Sequence, residues 1–166
     1  KPIKRFAFKV MKGISLTCQR ISPNWGLNVG KKLFKSVNKH LFGDSMMLLV
    51  CGGAHVPMEH MKMVNALGYA VTVGFGMTET AITSYENKVD LKSRISGSVG
   101  LPLSITQYKI LPDGDNPNRG ELLVKCNAMH IGRLSGSVLL PPAVDEEGWF
   151  HTGDIARIGK KGRMWI

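Results

Sequence analysis

Apolar positions in the first 21 residues recur at a helical interval. Phe6, Val10, Ile14 and Ile21, with Phe8, Met11 and Leu16, make a broad stripe with lysines opposite, which predicts an amphipathic helix over residues 5–21. Ser22-Pro23-Asn24 ends it. Leu33, Phe34, Val37 and Leu41 predict a second helix over residues 31–41, with Gly43 as its stop. The pattern then changes. Met46 to Cys51 is a continuous apolar run of strand length, which predicts a strand buried on both faces of a parallel sheet. Gly52-Gly53-Ala54 breaks that run, Pro57 opens a helix that continues to Leu67, Gly68 closes it, and Tyr69 to Val73 reads as the next strand. Strand, helix and strand in this order make a βαβ unit with a right-handed crossover. Open sheets of this kind bind ligands at the carboxyl ends of their strands, where Gly52-Gly53-Ala54 and the stretch from Gly74 to Thr80 both fall.

From Ser96 onward the punctuation is denser. Gly97, Gly100, Pro102, Pro112-Asp113-Gly114, Asn116-Pro117-Asn118 and Gly120 separate strand-like runs at residues 106–111, 121–125, 155–158 and 163–166, which describes antiparallel β-structure. The expected fold class is α/β: a partial parallel sheet with flanking helices, followed by a β-rich, partial-barrel lobe. The expected division is an α/β lobe over residues 1–95 and a β-rich lobe over residues 96–166.

Composition narrows the classes. A mean hydropathy near zero, 43% hydrophobic residues and no apolar run of membrane-spanning length describe a globular chain. Three scattered cysteines without a Cys-x-x-Cys pair argue against a zinc site and for reduced thiols in a cytoplasmic setting. The net charge of +10 is local: residues 1–43 carry ten Lys/Arg and no acid, whereas the remainder balances. Such a segment suits an anionic membrane surface, or else a solvated helical face. No nucleic-acid-binding motif accompanies it, and no nucleic-acid partner is expected.

Two stretches carry candidate chemistry. In Val73-Gly74-Phe75-Gly76-Met77-Thr78-Glu79-Thr80, Phe75 offers a face for a purine, Thr78 can donate to a phosphate oxygen, and Glu79 can ligate a hard cation such as Mg²⁺. The same Thr78 and Glu79 can equally cap the N-terminus of a following helix. In Gly148-Trp149-Phe150-His151-Thr152-Gly153-Asp154, Asp154 can accept from a ribose diol or serve as a turn aspartate, and His151 reads as a satisfied polar residue beside aromatic neighbours. A Walker-type phosphate loop and a Gly-x-Ser-x-Gly elbow are both absent from the sequence.

At these residues the chain resembles the adenylate-forming enzymes, in particular the AMP-forming acyl-CoA synthetases and, among them, bacterial long-chain fatty-acid–CoA ligases. Five ordered blocks carry the resemblance: Leu48 to Ala54, Phe75 to Thr80, Gly97 to Pro102, Gly120 to Val124 and Gly148 to Asp154. It covers residues 48–166 and implies that the chain is an internal piece of the large N-terminal domain of a longer, cytoplasmic ligase, to which the basic segment 1–43 adds the expectation of peripheral contact with an anionic membrane.

The resemblance implies particular roles. The backbone at Gly53 and Ala54 would lie along adenine, Phe75 would stack on it, and Gly76 and Met77 would belong to the same nucleotide-binding stretch. Thr78 would touch the α-phosphate, Glu79 would hold Mg²⁺, and Asp154 would bind the ribose hydroxyls. Gly52, Gly53, Val73 and Gly74 would wall the acyl pocket. The implied reaction joins a carboxylic acid to ATP, releases pyrophosphate and passes the acyl group from AMP to coenzyme A, with Thr78 and Glu79 as the catalytic pair. Val73 and Arg133 depart from the family's usual Asn/Gln and Tyr. The phosphate loop and catalytic lysine of the family are expected outside these residues, so the chain by itself is expected not to adenylate. Aryl, short-chain or amino-acid substrates, and a non-catalytic basic module, are the alternatives.

Overall fold

The computed structural model describes residues 2–43 and 45–166, and the chain divides into two compact units. The first comprises residues up to 73 together with residues 87–97; the second comprises residues 74–86 and 98–166.

In the first unit, α1 (Pro2–Ile21) and α2 (Pro23–Leu33) are separated by Ser22, with Pro23 at the first helical position, where its missing N–H costs nothing. A single turn, α3 (Lys35–Asn38), follows. The helix expected over residues 31–41 is therefore two helices that meet at Phe34, whose backbone leaves helical geometry at φ −110° and ψ 23°. The reason is packing: Phe34 turns inward to form the core with Leu67 and Tyr69, and Phe8, Met11, Leu33 and Val64 pack around them. Phe8 meets Phe34 edge to face at 5.3 Å.

The βαβ unit is present. Strand β1 (Leu49–Cys51) runs parallel to the opening of β2 (Val71–Met77) with Leu49 opposite Val71 and Cys51 opposite Val73, and α4 (Met58–Ala66) connects them. Strand β1 is shorter than the apolar run suggests and is not buried on both faces: Val50 is 46% exposed. Met46 to Leu48 lie outside it, since only Leu49 to Cys51 find ladder partners along β2.

A buried polar spine ties α1 to the rest of this unit. Ser15 and Gln19, both fully buried, project from α1; the Ser15 hydroxyl donates to Ala66 O at 2.7 Å and Gln19 Nε2 donates to Asn65 O at 2.7 Å. Arg94, on the short helix α5 (Leu91–Arg94), donates from Nε to Asn65 Oδ1 at 2.7 Å and from a terminal nitrogen to Gln19 Oε1 at 2.7 Å, and it also bonds Val89 O. Asn65 Nδ2 donates to Met61 O and Val71 O. Burial lowers the Arg94 guanidinium below its usual pKa, and Asp90 opposes that shift.

The second unit opens with the end of β2, which pairs antiparallel with β3 (Ala81–Tyr85), and β3 pairs with the two-residue β4 (Leu101–Pro102). Strands β5 (Thr106–Pro112) and β6 (Arg119–Cys126) form a hairpin, and β7 (Arg133–Ser135) with β8 (Val138–Leu140) a small ribbon. Then come β9 (Phe150–Ile158) and β10 (Met164–Trp165), linked by a 3₁₀ turn over Lys160–Gly162. A four-stranded sheet of this unit has the order β10-β9-β6-β5, all antiparallel, around Leu122, Val124, Ala156 and Met164. Gly100 closes this unit against the β3 end: at φ +81° its Cβ would stand 2.1 Å from Tyr85 O, so no side chain fits there. Its N–H is taken by Ser98 Oγ, and its carbonyl accepts from the Met164 N–H.

Candidate functional site

The expected site residues fall into two groups, one in each unit. In the first unit, Gly52, Gly53 and Ala54 form an exposed loop that leaves the carboxyl end of β1, beside the buried Val73 at the register position of Cys51. Gly53 adopts φ +80° there.

In the second unit, Gly74, Phe75, Gly76 and Met77 are strand residues rather than loop, and Thr78, Glu79 and Thr80 form the turn into β3. No helix follows, which removes helix capping as a role for Thr78 and Glu79. The turn is tight because Gly76 sits at a register shift, where a Cβ would approach Ala81 O to 2.4 Å and Ile82 Cα to 2.8 Å. Ala81 itself adopts φ +54°, an unusual value for a residue with a side chain. A Gly76→Val chain is expected to lose about 1–3 kcal/mol through this overpacking, as a lower urea midpoint would show.

The backbone of this turn is clamped from three sides. His130 donates to Glu79 O from its own N–H (2.8 Å) and from ring Nδ1–H (3.1 Å). The Thr83 hydroxyl donates to Phe75 O (3.2 Å) and accepts from the Tyr108 hydroxyl (2.7 Å), a phenol whose pKa burial raises. Cys126 Sγ makes a weak bond to Thr80 O (3.7 Å). The side chains are treated differently. Thr78 is exposed and Glu79 half-buried, and among the described residues neither the Thr78 hydroxyl nor the Glu79 carboxylate has a protein partner.

The same contrast holds around Asp154, which lies within β9 rather than at its start. The Asp154 N–H donates to Thr152 Oγ1, and that hydroxyl donates to Leu122 O. The Gly153 N–H donates to Glu121 Oε1, whose other oxygen accepts from His151 Nδ1–H at 3.2 Å. His151 Nε2 lies 3.6 Å from Asp145 Oδ2. The backbone is thus held at 153 and 154, and the Thr152 hydroxyl is anchored on Leu122 O, while the half-buried Asp154 carboxylate has no partner among the described residues. His130 joins the two motifs, because its ring also packs edge to face on Phe150 with centroids 6.5 Å apart.

Asp145 organises the turn before β9. Its Oδ1 accepts the Trp149 and Glu147 N–H groups, and these bonds, with His151 nearby, hold its carboxyl below the ordinary aspartate range against the opposing effect of desolvation. A depressed carboxyl stabilises the fold fully above its unfolded value of 3.8 and ceases to do so as pH falls through its lower folded value. Acid titration should therefore loosen the Trp149 turn below the ordinary aspartate range. Comparison of Trp149 fluorescence with an Asp145→Asn chain checks this.

His151 as a satisfied polar residue matches the sequence reading. His130, Thr83, Tyr108 and Asp145 escaped it, since their partners lie far away in sequence and no local pattern marks them.

Residues 2–132 match the family model described as AMP-binding enzyme. A long-chain-fatty-acid–CoA ligase of Salmonella typhimurium is 29% identical over the whole chain. One from Escherichia coli is 34% identical over 74% of it, and a peroxisomal long chain acyl-CoA synthetase of Arabidopsis thaliana is 28% identical over 96%. The chain spans 23–28% of the length of these relatives. Among solved structures, a malonyl-CoA ligase with methylmalonyl-CoA and AMP bound is similar over 86% of this chain and 32% of its own, with TM-score 0.59 and 25% identity. An O-succinylbenzoate coenzyme A synthetase from Bacillus subtilis shares the fold over 82% of this chain and 28% of its own, with TM-score 0.63. The α/β architecture with its partial sheet and open antiparallel sheet is thus a fragment of the adenylate-forming fold, and the chain belongs to the AMP-binding enzyme family.

Proposed function

We propose that this chain is the part of an AMP-forming acyl-CoA ligase that positions the base, ribose and metal of the nucleotide. The observation that carries this is the contrast between fixed backbone and uncommitted side chains. Glu79 stands on backbone bound by His130, with Thr78 beside it in the same turn, and Asp154 on backbone bound by Thr152 next to the Gly153 N–H that Glu121 holds. A polar group held in place without a protein partner is preorganised for a ligand, because no internal bond must break when the ligand arrives.

In this reading Phe75 stacks on adenine beside the backbone of Gly76 and Met77. Asp154 accepts from the ribose hydroxyls, and Thr78 donates to the α-phosphate. Glu79 is a lone half-buried carboxylate, and no described cluster of three His, Cys, Asp or Glu is able to hold a metal by itself. That donor set suits Mg²⁺ shared with substrate phosphates, since Mg²⁺ is bound by one or two carboxylates plus phosphate oxygens. When bound, the ion neutralises charge on the phosphates; the protein's part is to orient them.

The acid is a long-chain fatty acid in this reading, supported by the names of the Salmonella and Escherichia relatives. A second reading, an aromatic dicarboxylate, draws on a 2-succinylbenzoate–CoA ligase of Oceanobacillus iheyensis that is 27% identical over 82% of the chain. Coenzyme A is the acyl acceptor in both.

Calorimetric titration with a non-hydrolysable acyl-adenylate tests the proposal. Asp154→Ala is expected to weaken binding about 10-fold or more, because a hydrogen bond to a charged group contributes roughly 1.5–3 kcal/mol. Equal affinity of the parent and Asp154→Ala chains would refute the ribose role. Comparison of fatty-acyl and succinylbenzoyl adenylates ranks the two acids.

A further inference from the structure

The helix α1 has two faces with different fates. Its inner face is committed: Ser15 and Gln19 are buried in the polar spine, and Phe8 and Met11 pack on the Phe34 core. At about 100° per residue, Ile3, Phe6, Val10, Ile14 and Ile21 fall within one sector of about 80° on the other side. That sector faces outward, with Ile3 82%, Phe6 69% and Ile21 76% exposed. Lys9 and Arg20 border the stripe on one flank, and neither makes an ion pair among the described residues. Phe6 also lies in an open groove with Pro2, Arg5 and Lys9.

Exposed apolar residues occur elsewhere in this chain, but their setting differs. Leu134, Val138 and Leu139 lie on a two-stranded ribbon, and the sequence after residue 43 has balanced charge. Among the described residues, α1 sets its outward apolar sector in a segment, residues 1–43, that carries ten cations and no acid. A protein surface that covered the stripe would bring carboxylates at intervals to answer those cations. A bilayer with anionic headgroups answers all of them at once, and its acyl boundary takes the apolar stripe. No helix among the described residues is long and apolar enough to span a membrane, so the geometry is that of a helix lying in the interface plane.

We infer that the outer face of α1 is a peripheral membrane-binding surface for anionic lipid, with Ile3, Phe6, Val10 and Ile14 entering the acyl boundary and Lys9 and Arg20 meeting the headgroups. This inference is independent of the nucleotide reading, because none of these residues belongs to the proposed nucleotide site. The partner is a lipid surface and not free phosphate: the charges flank an apolar stripe and do not converge on a point.

The test is co-sedimentation of the full chain with phosphatidylcholine vesicles, with and without phosphatidylglycerol, at low and raised salt. The parent is expected to bind anionic vesicles at least about 10-fold more tightly than neutral ones and to lose most of that preference in salt. Lys9→Glu with Arg20→Glu is expected to lower binding at least about 10-fold, since each basic residue near an anionic surface contributes severalfold. Phe6→Ser with Val10→Ser is expected to remove what binding survives in salt. Circular dichroism reports whether the apolar variant keeps its helix; if it does not, the exposed charge reversals decide alone. Equal sedimentation with neutral and anionic vesicles would overturn the inference, as would binding unchanged by the charge reversals. A concentration-dependent dimer in analytical ultracentrifugation that Phe6→Ser with Val10→Ser dissolves would assign the stripe to a second copy of the chain. Loss of vesicle binding in a polypeptide extended to the length of the relatives would assign it to the rest of the protein.

Discussion

Arg94→Ala is expected to lower the stability of the first unit by about 3–5 kcal/mol, seen as a large drop in urea midpoint. The guanidinium is 3% exposed and donates to Gln19 Oε1, Asn65 Oδ1 and Val89 O. Removing it leaves two buried acceptors, Gln19 Oε1 and Asn65 Oδ1, without this donor, and each orphaned group costs roughly 1–3 kcal/mol before relaxation or water entry recovers part of it. Arg94→Lys should recover little, because one ammonium cannot reach acceptors arranged for a planar fork. Hydrogen exchange would localise the loss to α1 and α4, the helices that the spine joins. A loss below about 1 kcal/mol would mean that water replaces the guanidinium at low cost.

Glu79→Ala is expected to reduce adenylation by about 10²–10³-fold in the full-length ligase, with little change in stability. The magnitude is that of removing one preorganised electrostatic contact to a reacting group. The stability expectation follows from geometry: the Glu79 carboxylate has no protein partner among the described residues, and the turn is held through its carbonyl by His130. His130→Ala separates the two effects. It should lower both stability and activity, because it frees the turn and leaves Phe150 without its edge-to-face neighbour. Single-turnover pyrophosphate release measured against Mg²⁺ concentration checks the assignment: Glu79→Ala should shift the Mg²⁺ dependence and His130→Ala should not. An unshifted Mg²⁺ dependence in Glu79→Ala would remove Glu79 from the metal site.

Much of the architecture was legible because its signals are local. The βαβ unit followed from an apolar run, a proline start and a glycine stop, all within one short stretch. The hairpins of the second unit followed from Pro112-Asp113-Gly114 and the glycines around residues 159–162, where turn chemistry depends on neighbours in the chain. The errors came where tertiary packing overrode a local pattern. Leu33, Phe34, Val37 and Leu41 have helical spacing, yet the chain kinks at Phe34 to send its ring into the core. Met46 to Cys51 looks buried by composition, but only three of its residues join a strand.

The candidate site shows the same division. Phe75, Thr78, Glu79 and Asp154 were visible as residue types with suitable chemistry. That Thr78 and Glu79 stand on a hairpin turn and do not cap a helix was not visible, because a short polar stretch after a strand fits either continuation. Sequence alone determined the inventory: the order of elements, the cationic first segment, and the residues with oxygen and aromatic groups to offer a nucleotide. Tertiary structure decided which of those groups are committed. Glu121 and Arg94 are spent on internal bonds, Glu79 and Asp154 are not, and α1 turns Gln19 inward and Phe6 outward. The physical reason is that hydrogen-bond satisfaction and burial depend on partners distant in the chain, as His130 is from Glu79 and Arg94 from Gln19, and such partners meet only when the chain has folded.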